Sequence, residues 1–355
     1  MLNILIKGSG SYMPPIRKKN EEFIEQAFYK ENGVKFDIPG EEIIEKFHAI
    51  TEIEERRYAS PEERNSDIAA KAAADAIADA GIDKEELDYI LVGQNFGDVK
   101  YGQHQVSQVP SIAARVKYLL GIENPHCVGF DIVFGCPGWL ETVITGEAFM
   151  RSGKAKKILT LGTETLSRVV DPFDRDSMIF ADGAGAIIFE AVEEEEKRGI
   201  LASSEMTHTL REVYYLDMGP SNNPDEPRDK IYVKMQGRRI YNYALSYVPA
   251  AMKETLEKAG IDIHELKKIF LHQANAKMDH AIVQRFYKLY DMEVPEHIMP
   301  MSIHKMGNSS VATIPTLLDW VRKGKQEEHS LEPGDIILLA SVGAGMNINA
   351  VVYRV

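Results

Sequence analysis

Cys136, His272 and Asn308 are the side chains in this sequence whose types and settings fit a single reaction. Cys136 follows the apolar run CVGFDIVF (127–134) and Gly135, and precedes Pro137-Gly138-Trp139-Leu140. Proline favours the first position of a helix, because its missing N–H would have had no partner there. The cysteine therefore falls at a helix N-terminus, where the macrodipole and free N–H groups favour a thiolate and predict a lowered pKa. The other cysteine, Cys127, lies inside the apolar run and reads as a small core side chain. His272, in Leu271-His272-Gln273-Ala274-Asn275, ends an apolar strand, the edge where open α/β sheets place ligands. Asn308, in Gly307-Asn308-Ser309-Ser310, opens a helix and by itself reads as a cap. A thiolate that attacks a carbonyl, with two polar donors for developing oxyanion charge, suits thioester chemistry. The loop Ser341-Val342-Gly343-Ala344-Gly345 follows an apolar strand, and its small residues let backbone N–H groups approach a ligand. It lacks the spacing and the lysine of a phosphate loop, and fits an oxyanion loop instead.

The elements that position these residues repeat. AGIDKEELDYI (80–90) and AGIDIHELKKI (259–269) are identical at seven of eleven positions. Each copy follows an apolar-periodic helix and leads into a short apolar strand, YILVGQN (89–95) or IFLHQAN (269–275). The order continues downstream. Phe134-Gly135-Cys136 opens a helix ending at Gly153 before KILTLGTE, and Met306-Gly307-Asn308 opens one ending near Gly324 before DIILLASVGAG. Pro315 predicts a kink or a late start in the second helix. Helix, glycine turn and strand are the grammar of an α/β layered fold. EEEEKRG (193–199) reads as a solvated turn between two halves, 1–192 and 193–355. A pseudo-two-fold axis would bring Cys136 and Asn308 to equivalent places around one site.

Composition removes several classes. Lys+Arg number 41 and Asp+Glu 54, a net charge of −13, which argues against a general nucleic-acid binder. Two cysteines exclude a disulfide scaffold and a multi-cysteine zinc site. The N-terminus carries no secretory pattern, and no apolar stretch approaches the ~20 residues of a membrane span. A reducing cytoplasm is the expectation.

Over nearly the whole chain the sequence resembles the β-ketoacyl-acyl-carrier-protein synthase III family, the initiating condensing enzymes of the thiolase superfamily. The resemblance is carried by GSGSYMP (8–14), TEIEERR (51–57), the Cys136 corner, DGAGA (182–186), HQAN (272–275), GNSS (307–310) and Gly343-Ala344-Gly345. It implies a thiolase-like five-layered αβαβα sandwich of two duplicated halves, and a homodimer. It also implies that Cys136 takes an acyl group from a thioester, and that His272 and Asn308 serve a decarboxylative condensation with a malonyl-thioester. The N–H groups of Cys136 and Ala344 would form the oxyanion hole, while Arg175, Asn275, Gly343 and Gly345 would bind the substrate. The substrates would be coenzyme A or acyl-carrier-protein thioesters, with neither metal nor organic cofactor.

Departures from the family pattern sharpen the expectations. The coenzyme-clamping tryptophan and arginine fall on Lys46 and Ile50, and the motif's glycine is Glu52, which leaves the primer's carrier open. Val109 replaces a bulky phenylalanine found at the dimer interface of some members, which predicts a primer larger than acetyl. An acidic carrier protein needs a basic landing surface, for which Lys277, Arg285 and Lys288 are the candidates, with Arg238 and Arg239 in support. The competing readings are a thiolase-fold acyltransferase that does not decarboxylate, and a catalytically silent partner subunit. A hydroxymethylglutaryl-type synthase ranks low because Gln94-Asn95 stands where it carries a glutamate.

Overall fold

The computed structural model describes all 355 residues. Nine strands form the central ladder: β1 (Leu2–Tyr12), β2 (Tyr89–Gly93), β3 (Val128–Ile132), β4 (Lys157–Thr165), β5 (Asp182–Glu193), β6 (Gly199–Thr207), β7 (Leu266–Leu271), β8 (Ile336–Gly343) and β9 (Asn347–Arg354). Six helices cover it: α1 (Asn65–Ala80), α2 (Ile112–Leu119), α3 (Gly138–Arg151), α4 (Gly237–Ala259), α5 (Ala276–Lys288) and α6 (Thr313–Arg322). The strand order is β7-β8-β9-β6-β1-β5-β4-β2-β3. Between β1 and β6 only Ile4 and Gly199 are paired, so two sheets meet there edge to edge.

The duplication is visible strand by strand. β2 runs parallel to β4, which is antiparallel to β5, which is antiparallel to β1. β7, β8, β9 and β6 repeat those directions in that order. The AGID echo has a local physical cause in both copies. Gly81 and Gly260 close their helices at φ +62° and +69°, a conformation that only glycine adopts without strain. Asp83 and Asp262 then cap a short turn, accepting from the N–H of Glu85 at 3.0 Å and of His264 at 2.9 Å. Glu86 and Glu265 reach back to the capping residue, so both turns are capping boxes.

Five layers result. α1 and α2 pack Ile68, Ala69, Ala72, Ala73, Ala76 and Ile112 on the outer face of the first sheet. α4 and α5 cover the second sheet with Val248, Met252, Ile282 and Phe286. Between the sheets lie α3 and α6, whose Trp139, Val143, Leu317 and Leu318 touch Leu91 and Ile158 on one side and Ile337 and Leu339 on the other. Burying each such side chain contributes about 1.5–3 kcal/mol. Pro315 sits in the first turn of α6, after a short 3-10 turn over Ser310–Ala312, so the helix starts late and is not kinked. The Glu193–Gly199 segment connects β5 to β6. No helix is long and apolar enough to cross a membrane.

Candidate active site

Sheet geometry carries the three residues to one place. Cys136 lies at the turn into α3, His272 directly after β7, and Asn308 at the turn before α6. Ser310 ties them together. Its hydroxyl favours the Cys136 thiolate, its backbone favours the His272 imidazolium, and its N–H donates to Asn308 Oδ1 at 2.7 Å. Ser310 adopts φ +53°, a strained value for a residue with a side chain, of the kind that functional sites retain. Gly307 makes this turn possible. Its φ is +66°, and a Cβ there would lie 2.8 Å from the Cβ of Arg56. Arg56, from the TEIEERR segment, is fully buried and donates to Met178 O, Lys18 O and Asn20 Oδ1. That arginine is a pillar behind the Asn308 turn.

The loop after β8 closes on Cys136 from the other side. A Cβ on Gly343 would lie 2.4 Å from the Cys136 nitrogen, so only glycine permits this approach. Asn347 Nδ2 donates to Ala344 O at 2.9 Å and to Phe134 O at 3.2 Å, which fastens the loop to the cysteine corner. Cys136, Ala344 and Gly345 line one cavity of about 400 Å³, with walls that include Phe96, Leu166, Phe180 and Met218. A second cavity of about 440 Å³ is lined by Asn308, Asn275, Arg175, Arg238 and Ile50. The GNSS turn thus contributes Asn308 to the cavity that holds Arg175 and Ser310 to the one that holds Cys136. A larger cleft, about 1160 Å³, lies where α3 ends at Arg151 and contains none of these residues. Its cations Lys7 and Arg198 are answered by Glu190 and Glu194.

Electrostatics correct one expectation. The Cys136 thiol is not held low: burial pushes it up to about 11, assisted by Glu164 and opposed by the Ser310 hydroxyl and the cysteine's own N–H. Desolvation of the charged form outweighs the helix terminus, so the thiol keeps its proton at neutral pH. Burial also pushes His272 down to about 4, against the Ser310 backbone, and the ring is neutral. Cys127 is buried and its thiol is raised by desolvation, as a core side chain requires.

The remaining residues separate by position. Arg175 reaches the second cavity, but its guanidinium is paired with Asp176 at 3.2 Å and stacks on Phe36. Asn275 caps α5, its Oδ1 accepting from Met278 N at 2.8 Å. Val109 is 88% exposed and lies outside the apolar cavity of its own chain. Lys277, Arg285 and Lys288 are all exposed on α5, as are Arg238 and Arg239 at the start of α4. Lys46 is paired with Glu42 on the surface, and half-exposed Ile50 lines the second cavity. No group of three or more His, Cys, Asp or Glu side chains is placed to hold a metal ion.

Three neighbours have no role assigned by the sequence alone: Ser310, Asn95 and Glu164. Asn95 Oδ1 accepts from Gly135 N at 3.0 Å, and its Nδ2 donates to Glu164 at 2.7 Å. Available signals were the second serine of GNSS and a carboxylate closing the apolar strand KILTLGTE.

The layered fold and the cysteine corner define a thiolase-fold acyltransferase. Residues 130–208 match the family model for 3-oxoacyl-[acyl-carrier-protein (ACP)] synthase III, and residues 256–355 match its C-terminal model. The chain is 32% identical over 358 residues to the β-ketoacyl-[acyl-carrier-protein] synthase III of Rhodobacter capsulatus, covering 99% of each. It superposes with a TM-score of 0.80 on the 3-oxoacyl-[acyl-carrier-protein] synthase III of Aquifex aeolicus VF5, at 29% identity, over 99% of this chain and 100% of that one. The priming β-ketosynthase of the R1128 polyketide pathway gives a TM-score of 0.81 at 25% identity, over 99% and 96%. The chain belongs to the β-ketoacyl-acyl-carrier-protein synthase III family.

Proposed function

We propose that this chain condenses an acyl group with a malonyl-thioester, and that Cys136, His272 and Asn308 perform the two half-reactions. The observation that carries the reading is their convergence on Ser310. In acyl transfer, the Cys136 sulfur bonds to the primer's carbonyl carbon, the primer's C–S bond breaks, and the carrier thiol leaves with the proton. The N–H groups of Cys136 and Ala344 stabilise the tetrahedral oxyanion. In condensation, the malonyl C–CO2 bond breaks and its electrons form an enolate. Neutral His272 and Asn308 each donate a hydrogen bond to the thioester oxygen. The enolate carbon then attacks the acyl-cysteine, and the C–S bond to Cys136 breaks.

The two cavities divide the substrate. The apolar one, within the range of small-ligand pockets, takes an acyl chain longer than acetyl. The other, with Arg175, Asn275 and Asn308, takes the thioester arm, and Gly343 and Gly345 give the backbone room near sulfur. Lys277, Arg285 and Lys288 receive an acyl carrier protein; eight residues of helix separate the first two by about 12 Å. β3 leaves an unpaired edge flanked by exposed Val109, Tyr118, Val128 and Val133. A second copy covering that edge, as a homodimer, would set Val109 against the partner's apolar cavity. The division into halves at 192/193 and a cytoplasmic setting complete the proposal.

Intact-mass detection of acyl adducts, using a panel of acetyl to decanoyl thioesters followed by malonyl-carrier protein, tests the reading. An adduct that is absent in Cys136→Ala, with CO2 release and a β-ketoacyl product, is expected. An adduct without CO2 would favour the non-decarboxylating acyltransferase. Failure to acylate with every thioester would favour a silent partner subunit.

A further inference from the structure

Glu164 closes β4 beside the cysteine corner, and its carboxyl group is buried. Oε1 accepts from both the backbone N–H and Nδ2 of Asn95 at 2.7 Å, while Oε2 has no partner. The Asn95 amide can point only one way, because Oδ1 must accept from Gly135 N and Nδ2 must donate to Glu164. The second hydrogen of Nδ2 faces Ser310 Oγ at 3.5 Å, the hydroxyl that favours the Cys136 thiolate. Asn95 therefore holds both the peptide preceding the nucleophile and that hydroxyl.

We propose that Glu164 and Asn95 are a positioning pair for the Cys136 thiol, with Glu164 acting as a neutral acid while the enzyme works. The proposal rests on the reading of Cys136 as the nucleophile. The physical reason is like charge. An ionised Glu164 would stand beside the forming thiolate and oppose it, whereas the acid form fixes Asn95 without that charge. Burial pushes Glu164 up to about 8, against the two Asn95 hydrogen bonds and with the help of Asp182 on the neighbouring strand β5. Glu164 in turn raises the Cys136 thiol. The titratable groups facing Glu164 are thus Asp182 and Cys136. Asp182 is itself tied to Ser167 and to the N–H of Ala59.

The test is alkylation of Cys136 by iodoacetamide from neutral to strongly alkaline pH, read peptide by peptide, with buried Cys127 as the internal reference. Glu164→Gln keeps an acceptor for Asn95 and removes the charge. Its alkylation midpoint should move down by on the order of one pH unit, making alkylation about tenfold faster on the alkaline side. Turnover at neutral pH should survive in Glu164→Gln and fall about tenfold in Glu164→Ala and Asn95→Ala, in kcat and not in KM. A wild-type alkylation curve in Glu164→Gln, or equal neutral losses in Glu164→Gln and Glu164→Ala, overturns the pair. Where Glu164→Ala or Asn95→Ala fails to fold, the Glu164→Gln curve decides alone. Alkylation needs no thioester, so a chain that shows the shift but accepts no acyl group sinks the condensing reading and not the positioning pair.

Discussion

The Ser310 N–H donates to Asn308 Oδ1 at 2.7 Å, which fixes the Asn308 amide and leaves its nitrogen as the free donor. Asn308→Asp keeps the shape and removes that donor. Condensation should fall by about 10²–10³, the usual cost of one oxyanion donor. Acylation of Cys136 should persist, because in the proposed mechanism its oxyanion is held by backbone N–H groups. CO2 release measured beside the acyl adduct separates the two steps, and equal losses in both would contradict the assigned role.

His272 is neutral throughout the physiological range. Its folded value of about 4 lies below the unfolded ~6.5, so the unfolded chain binds the proton first on acidification. Its contribution to stability is therefore complete above pH ~6.5, and is lost as pH falls from there towards about 4. Urea unfolding of His272→Gln should show a shallower loss over that window than wild type. Condensation should show no histidine inflection near pH ~6.5, and finding one would mean that the imidazolium takes part.

Arg175 meets the second cavity already paired with Asp176. Coenzyme A brings phosphates that must compete for that guanidinium, whereas a pantetheine thioester does not. Asp176→Gly should raise kcat/KM for acyl-coenzyme A severalfold relative to acyl-pantetheine. The pair is partly exposed, so an effect beyond about tenfold is not expected. An unchanged ratio would remove Asp176 from carrier selection.

Lys277 and Arg285 lie on the exposed face of α5. Changing both to Glu should weaken turnover of carrier-protein thioesters, with a loss that shrinks as salt rises, and leave small thioesters nearly untouched. Equal losses for both substrate types would place the landing surface elsewhere.

Gly162 on β4 faces Val311, and a Cβ there would lie 2.2 Å from the Val311 carbonyl oxygen. Gly162→Ala should cost about 1–3 kcal/mol or more by overpacking and lower the Tm. A thermal melt matching wild type would show that the turn before α6 yields freely.

Much of this was legible because it is local. The AGID echo was readable since a left-handed glycine and a capping aspartate must recur wherever the same turn recurs. Cys136 and Asn308 stood out because each follows a glycine at a helix start. The pKa of Cys136 runs against its helix-terminal setting because burial and the charge of Glu164 both depend on residues distant in the chain. Asn95 and Glu164 escaped for the same reason: their partnership spans 69 positions of sequence and reaches Gly135 only through space. The pairing of Arg175 with Asp176 lay in adjacent letters, yet only side-chain geometry shows the contact.

β1 is made well before its antiparallel partner, and its ten paired positions on β5 run from Glu193 back to Ala184. At about 5–20 residues per second, its antiparallel neighbour emerges roughly ten to forty seconds later. Until then Ile4, which is fully buried in the finished fold, has no sheet to join. The nascent chain must keep that strand from foreign pairing, and its sheet cannot close before β5 has been made.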